Sequence, residues 1–208
     1  RYVEPVARTC ERLAGEVAAA AARGALPIVL GGDHSLSIGS IGGMARGGPL
    51  GVLWLDAHGD FNTPETSPSG NVHGMPLAAL AGLGDARLVR AAGADAGIIH
   101  AEHVAIVGVR SLDDGERRLL RECGVAVYSM EAIDRRGVAA VVAEAIDRVG
   151  RGMERLHVSL DLDLLDPREA PGVGTPVPGG LTYREAHLAL ELVAEDGRLC
   201  SMDVVEVN

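Results

Sequence analysis

The feature that most limits what this chain can fold into is a regular alternation of short aliphatic runs with longer stretches rich in Ala, Leu, Arg and Glu. Apolar runs of about four to eight residues read as strands, and the stretches between them read as helices. Repeated strand–helix units predict an α/β fold, a three-layer αβα arrangement around a mainly parallel sheet. Strands are expected at 26–30, 51–55, 103–109, 125–128, 156–160 and 199–205. Most are continuously apolar, as strands covered on both faces must be. Helices are expected at 5–23, 36–45, 76–83, 113–123, 130–149 and 183–194, with Gly24, Gly124 and Gly150 at their C-terminal stops.

No repeat, low-complexity tract or linker divides the chain, so residues 1–208 are expected to form a single domain. The pattern opens on a helix with no strand before it and closes on a strand with no helix after it. The expectation is a domain truncated at both ends, lacking an N-terminal strand–helix unit and a C-terminal helix.

Composition narrows the function. Net charge is −10 and only five residues are aromatic, which argues against a nucleic-acid partner. All 19 basic residues are Arg. Without Lys there is no Walker P-loop, no kinase lysine and no Schiff base. Cys10, Cys123 and Cys200 fit no paired spacing and read as free thiols in a reducing compartment. No apolar stretch approaches the roughly 18 residues of a membrane helix, and no basic-then-apolar leader is visible. A cytoplasmic protein with no membrane partner is expected.

The polar clusters gather at the C-terminal ends of three expected strands, where open α/β sheets build their sites. These are Gly31-Gly32-Asp33-His34-Ser35, Asp56-Ala57-His58-Gly59-Asp60-Phe61-Asn62 and Asp161-Leu162-Asp163. If each segment is extended, residues two apart share a side, so Asp56, His58 and Asp60 converge, as do Asp161 and Asp163. Four carboxylates at short range cannot all ionise without a counter-charge. Divalent cations resolve the conflict. With His34 the ligands number more than one ion recruits, so two ions sharing carboxylates fit better. An oxygen-rich set with imidazole and no thiolate favours Mn²⁺, with Zn²⁺, Fe²⁺, Co²⁺ and Ni²⁺ open. Metal-assisted hydrolysis follows. Asp33 alone is read as a helix N-cap.

Four ordered motifs, GGDHS at 31–35, DAHGDFN at 56–62, SLDLDLLDP at 159–167 and PGVGTPVPGGLTYREA at 171–186, make the chain resemble the ureohydrolases, the family of arginases and agmatinases. The resemblance implies a three-layer α/β fold and two Mn²⁺ per subunit. One ion would be held by His34, Asp56, Asp60 and Asp161 and the other by Asp56, His58, Asp161 and Asp163, with Asp56 and Asp161 bridging. The loop Asn62 to Met75 resembles the arginase version. Asn62, Ser69 and Asn71 would then meet a substrate carboxylate, and Asp113 would meet the α-amino group. Glu206 matches the carboxylate that pairs with the guanidinium, with Thr175 assisting.

The implied reaction is attack on the guanidinium carbon of L-arginine by a hydroxide bridging two Mn ions, giving urea and L-ornithine. Asp60 would relay the proton, His73 would exchange it with solvent, and Glu206 would orient the substrate. Ser111 departs from the pattern, since arginases commonly carry an acid there. The alternatives are an agmatinase or other guanidino-compound amidinohydrolase and, of another class, a non-catalytic metal-binding scaffold. A binuclear phosphoesterase would need a downstream Gly-Asn-His-Glu that is absent. His157, His187, His100 and His103 read as core or surface groups. The resemblance further implies a homotrimer or homohexamer acting on a small molecule.

Overall fold

The computed structural model describes residues 2–207. In chain order the elements are α1 (Val3–Ala22), β1 (Ile28–Leu30), α2 (Ser37–Ala45), β2 (Gly51–Leu55), α3 (Pro76–Leu80), α4 (Ala86–Ala91), β3 (Val104–Val109), α5 (Asp114–Cys123), β4 (Ala126–Ser129), α6 (Met130–Arg136), α7 (Val138–Val149), β5 (Leu156–Asp161), α8 (Tyr183–Asp196) and β6 (Leu199–Val205). Short 3₁₀ turns follow β1 and β5 at His34–Leu36 and Leu162–Leu164.

The six strands form one sheet in the order β1-β6-β5-β2-β3-β4, and every pairing is parallel. From β2 the chain steps outward to β3 and β4, then returns to β5 on the other side of β2. The connections therefore diverge between β2 and β5, and a crevice opens at the C-terminal ends of these strands.

Two cores make the three layers. On one face Val52, Trp54 and Ile106 pack with Ile38, Leu77, Leu88 and Leu120, which come from α2 to α5, and with Ala7 and Cys10 of α1. On the other Leu53, Leu55 and Val107 pack with Val141 and Ile146 of α7 and Ala189 and Val193 of α8. Alternate residues of β2 thus serve opposite cores, which is why all five are buried. The edge strands β1 and β4 carry exposed positions instead.

Helix α2 lies unusually close to its neighbours. A Cβ on Gly39 would stand 2.5 Å from the Cys10 carbonyl oxygen, one on Gly43 2.7 Å from that of Ala14, and one on Gly42 2.5 Å from that of Ala92. Only glycine permits this backbone approach. It fixes the start of α2, and with it the preceding turn that carries His34, against α1.

The structure corrects several expectations. The helix expected at 130–149 is two, because Gly137 takes φ +82° and its amide closes α6 before α7 begins. Gly24 and Gly124 are left-handed stops as expected, whereas Gly150 has φ −87°. A Cβ there would meet only the guanidinium end of Arg198, which donates to the Gly150 carbonyl at 2.6 Å, so a side chain would displace that flexible arginine rather than backbone. Helix α4 was not foreseen. Its six residues follow an Asp85 cap that accepts from the Arg87 amide, a start signal too short to stand out from the surrounding Ala and Gly.

Candidate metal centre and active site

His34, Asp56, His58, Asp60, Asp161 and Asp163 all come to the crevice at the C-terminal ends of β1, β2 and β5. His34 is placed by the turn that Asp33 caps, with Asp33 Oδ1 accepting from the Ser35 amide at 2.9 Å. Asp33 is the N-cap it was read as. Asp56 and Asp161 repeat a device: each accepts from the amide two residues on, Asp56 from His58 at 2.6 Å and Asp161 from Asp163 at 2.7 Å. These side-chain turns stop the strands and bend the next ligand inward.

Strand parity is therefore not how the ligands meet. Asp60 reaches the crevice through a left-handed backbone, φ +49°, and Asp163 sits in the 3₁₀ turn. The expected convergence occurs, but by turns rather than by an extended segment. Asp60 and Glu206, φ +55°, are the only non-glycine residues with positive φ among those described.

His34 Nδ1 faces three carboxylate oxygens, Asp60 Oδ2 at 2.9 Å, Asp161 Oδ2 at 3.1 Å and Asp56 Oδ2 at 3.2 Å. His58 Nδ1 lies 2.9 Å from Asp163 Oδ2 and 3.5 Å from Asp56 Oδ1. Two metal-capable groups result, His34–Asp56–Asp60 and Asp56–His58–Asp163. They share Asp56, which turns one oxygen toward each imidazole.

His34 tests whether such a set suits cations. Its ring is 1% exposed, and Nδ1 makes no hydrogen bond among the described residues although three carboxylates crowd it. A buried polar atom left without a hydrogen bond is costly. A divalent ion accepting the Nδ1 lone pair and the three oxygens removes that cost. The donor set fits a binuclear metal site.

The electrostatics point the same way. Burial and then the Asp56 charge raise Asp60 well above the carboxylate range, push Asp161 up to about 7, and raise Asp163. Asp56 is held low because His34 and His58 outweigh its burial. Burial draws both imidazoles down, yet the facing carboxylates win: Asp60, Asp161 and Asp56 raise His34, and Asp163 and Asp56 push His58 up to about 11. The cluster favours protons where cations would balance the charge.

Above the cluster a cavity of about 220 Å³ is lined by Asn62, Ser69, Asn71, His73, Asp113 and Thr175 beside His58, Asp60 and Asp161. Glu206 lines the adjoining cavity, which shares Asn71, His73 and Thr175 with the first. Glu206 Oε1 accepts from the His34 amide at 3.2 Å and lies 4.0 Å from His73 Nδ1. Asn62 Nδ2 donates to Asp113 Oδ2 at 2.9 Å, so one amide hydrogen is already used. Thr175 Oγ1 donates to Asp163 Oδ2 at 3.3 Å, which ties it to a candidate metal ligand. Ser111 also lines the cavity.

Sequence reasoning passed over the supports. Trp54 donates to Asp56 Oδ2 at 2.9 Å and stacks on His34, ring centroids 4.2 Å apart. Its place two residues before Asp56 was the available signal. Glu116 accepts from the Phe61 amide at 2.9 Å and from that of Asp113 at 3.3 Å, joining the 59–61 bend to the start of α5. Arg110 spreads its guanidinium over the carbonyls of Asp163, Leu164, Leu165, Val177 and Gly108. His157, read as a core group, is fully buried but bonded to Asp203 and Ser201.

A model of the arginase family matches residues 2–208. The chain belongs to the arginase family. Arginase from Bacillus caldovelox is 52% identical over 100% of this chain and 70% of its own length, and arginase from Brevibacillus brevis is 50% identical with the same coverage. The solved native structure of the Bacillus caldovelox arginase superposes with a TM-score of 0.97, again over 100% of this chain and 70% of that one. The three-layer arrangement of arginases is thus shared by this chain, and its candidate metal centre lies in that frame. No helix among the described residues is long and apolar enough to cross a membrane.

Proposed function

We propose that this chain hydrolyses the guanidinium group of L-arginine to urea and L-ornithine, with Mn²⁺ as the metal at both positions of the centre. The observation that carries the reading is the pair of ligand groups sharing Asp56 beneath a small polar cavity, in a member of the arginase family. Bound divalent ions supply the nucleophile by lowering the pKa of water from about 15.7 toward about 7.

The side chains do the rest. Glu206 pairs with the substrate guanidinium, whose planar fork suits a carboxylate, and holds its carbon over the centre. Asp60 takes up the proton released on attack and passes it to the leaving amine. His73, half-buried at the junction of the two cavities, carries to solvent the separate proton given up when the next water ionises for a new cycle. Asn62 through its second amide hydrogen, Ser69 and Asn71 receive the α-carboxylate, and Asp113 receives the α-amino group. Thr175 steadies the Asp163 side of the centre through its bond to that carboxylate. His34, Asp56, Asp60, Asp161, His58 and Asp163 would hold the two ions, with Asp56 and Asp161 shared between them.

Ser111 favours a second reading. A hydroxyl in the cavity, where an acid is common, weakens the grip on an α-amino group and leaves agmatine as a competing substrate. We read residues 1–208 as one catalytic domain, acting in the cytoplasm as a homotrimer or homohexamer.

The test is urea release from arginine and from agmatine after Mn²⁺ loading, with Asp161→Ala as control. Activity on arginine that the substitution abolishes is expected. Preference for agmatine overturns the substrate, and full activity of the Asp161→Ala protein overturns the bridging role.

A further inference from the structure

Behind His34, on the side away from the carboxylates, lies a chain of buried polar groups across β5 and β6. His34 Nε2 meets Ser159 Oγ at 2.8 Å. Ser159 Oγ donates to Asp203 Oδ1 at 2.6 Å. The other oxygen of Asp203 meets His157 Nε2 at 3.0 Å, and His157 Nδ1 meets Ser201 Oγ at 2.7 Å. All five residues are at most 1% exposed. The strand register sets the geometry by pairing His157 with Ser201 and Ser159 with Asp203.

A serine hydroxyl has one hydrogen. Ser159 gives it to Asp203, so toward His34 it can only accept. Nε2 of His34 must then carry a proton. The nitrogen left to offer a lone pair is Nδ1, the atom facing Asp56, Asp60 and Asp161. Were Ser159 to donate to His34 instead, the neutral ring would hold its proton on Nδ1, against the metal position. The direction of one hydroxyl thus decides whether the imidazole can be a ligand.

Asp203 sets that direction. As a buried carboxylate it is an acceptor only, and His157 supports it from the far side. Asp203 is held below the ordinary range although burial raises it, because the His157 and His34 rings and the Ser159 hydroxyl favour its charge.

We propose that Ser159 and Asp203 are positioning residues that fix the His34 tautomer, keeping Nδ1 free to bind the ion on the Asp60 side of the centre. The inference rests on the metal-centre reading above. It predicts a site-selective effect, because His58 and Asp163 make no contact with this chain of bonds.

The test is Mn²⁺ binding by equilibrium dialysis against a competing chelator, resolved into two dissociation constants, for the full chain and for Ser159→Ala, Ser159→Thr and Asp203→Leu. Circular dichroism checks that each is folded. Loss of an outer partner of a metal-bound histidine typically weakens affinity about 10–100-fold. That loss is expected for one of the two ions in Ser159→Ala and Asp203→Leu, with the other ion retained and Ser159→Thr restoring most of it. If Ser159→Ala fails to fold, Asp203→Leu, close in shape and with no acceptor for the Ser159 hydroxyl, carries the test alone. Wild-type affinity for both ions in a folded Ser159→Ala or Asp203→Leu overturns the proposal, as does equal weakening of both. Failure of the unsubstituted chain to bind two ions overturns the metal-centre reading instead.

Discussion

Trp54 lies flat on His34, the two rings 10° from parallel with centroids 4.2 Å apart, while its indole nitrogen donates to Asp56. One side chain thus orients two candidate ligands from different strand ends. It is also the only tryptophan in the chain. Paramagnetic Mn²⁺ entering the centre is expected to quench its emission, saturating with the binding isotherm. Emission unchanged at full occupancy would place the ions elsewhere. Trp54→Phe keeps the ring but leaves a buried Asp56 oxygen short of a donor, at a cost of about 1–3 kcal/mol in unfolding free energy. Urea denaturation measures this.

Glu206→Gln preserves shape and removes the charge that would face a guanidinium. A charge-assisted hydrogen bond is worth about 1.5–3 kcal/mol, so kcat/KM for arginine is expected to fall roughly 10- to 150-fold. Metal stoichiometry is expected to stay at its unsubstituted value. An unchanged kcat/KM contradicts the role.

Arg110 is a clamp of another kind. Among the described residues its guanidinium bonds to backbone carbonyls alone, and it joins the Asp163 turn to the loop at Val177. Arg110→Lys retains the charge but loses the fork. It is expected to lower stability by about 1–3 kcal/mol and to weaken the ion on the His58–Asp163 side more than the other. Calorimetry with metal titration separates the two effects.

Glu116 gives a pH signature. Burial raises its carboxyl to about 7 from an ordinary 4.5, although the Phe61 and Asp113 amides pull it down. Between these values the folded chain binds more protons than the unfolded one. The stability contributed by the protonated form is full below about pH 4.5 and is lost as pH rises through about 7. A shift of this size corresponds to a loss on the order of 3 kcal/mol. Glu116→Gln does not titrate, so the wild-type minus variant difference in unfolding free energy should fall across this window. Parallel curves would contradict it.

The layers were legible because they depend on periodicity. Continuous apolar runs such as Gly51–Leu55 and Val104–Val109 belong to strands buried on both faces, and the structure places them at the centre of the sheet. The gathering of the six His and Asp side chains was legible because strand ends in a parallel sheet point to one crevice. The means of gathering was not. A left-handed Asp60 and the 3₁₀ turn at Leu162–Leu164 depend on hydrogen bonds that no spacing rule encodes. Ser159, Asp203 and Arg110 were missed for a related reason: their partners are 44 to 125 positions away for the first two and 53 to 67 for most of those of the third. Such pairs become visible only once β5 lies beside β6 and the turn after β5 lies beside the end of β3.

Asp60 and Glu206 twist their backbones into a region where glycine rests easily and other residues pay roughly 1–2 kcal/mol. A search for sturdier variants of this chain would therefore be drawn to glycine at both places. Each such winner would melt later and have shed a carboxylate from the cleft. Thermal resistance and turnover pull in opposite directions at these two positions, and a screen that rewards only the first will enrich for molecules that have given up the second.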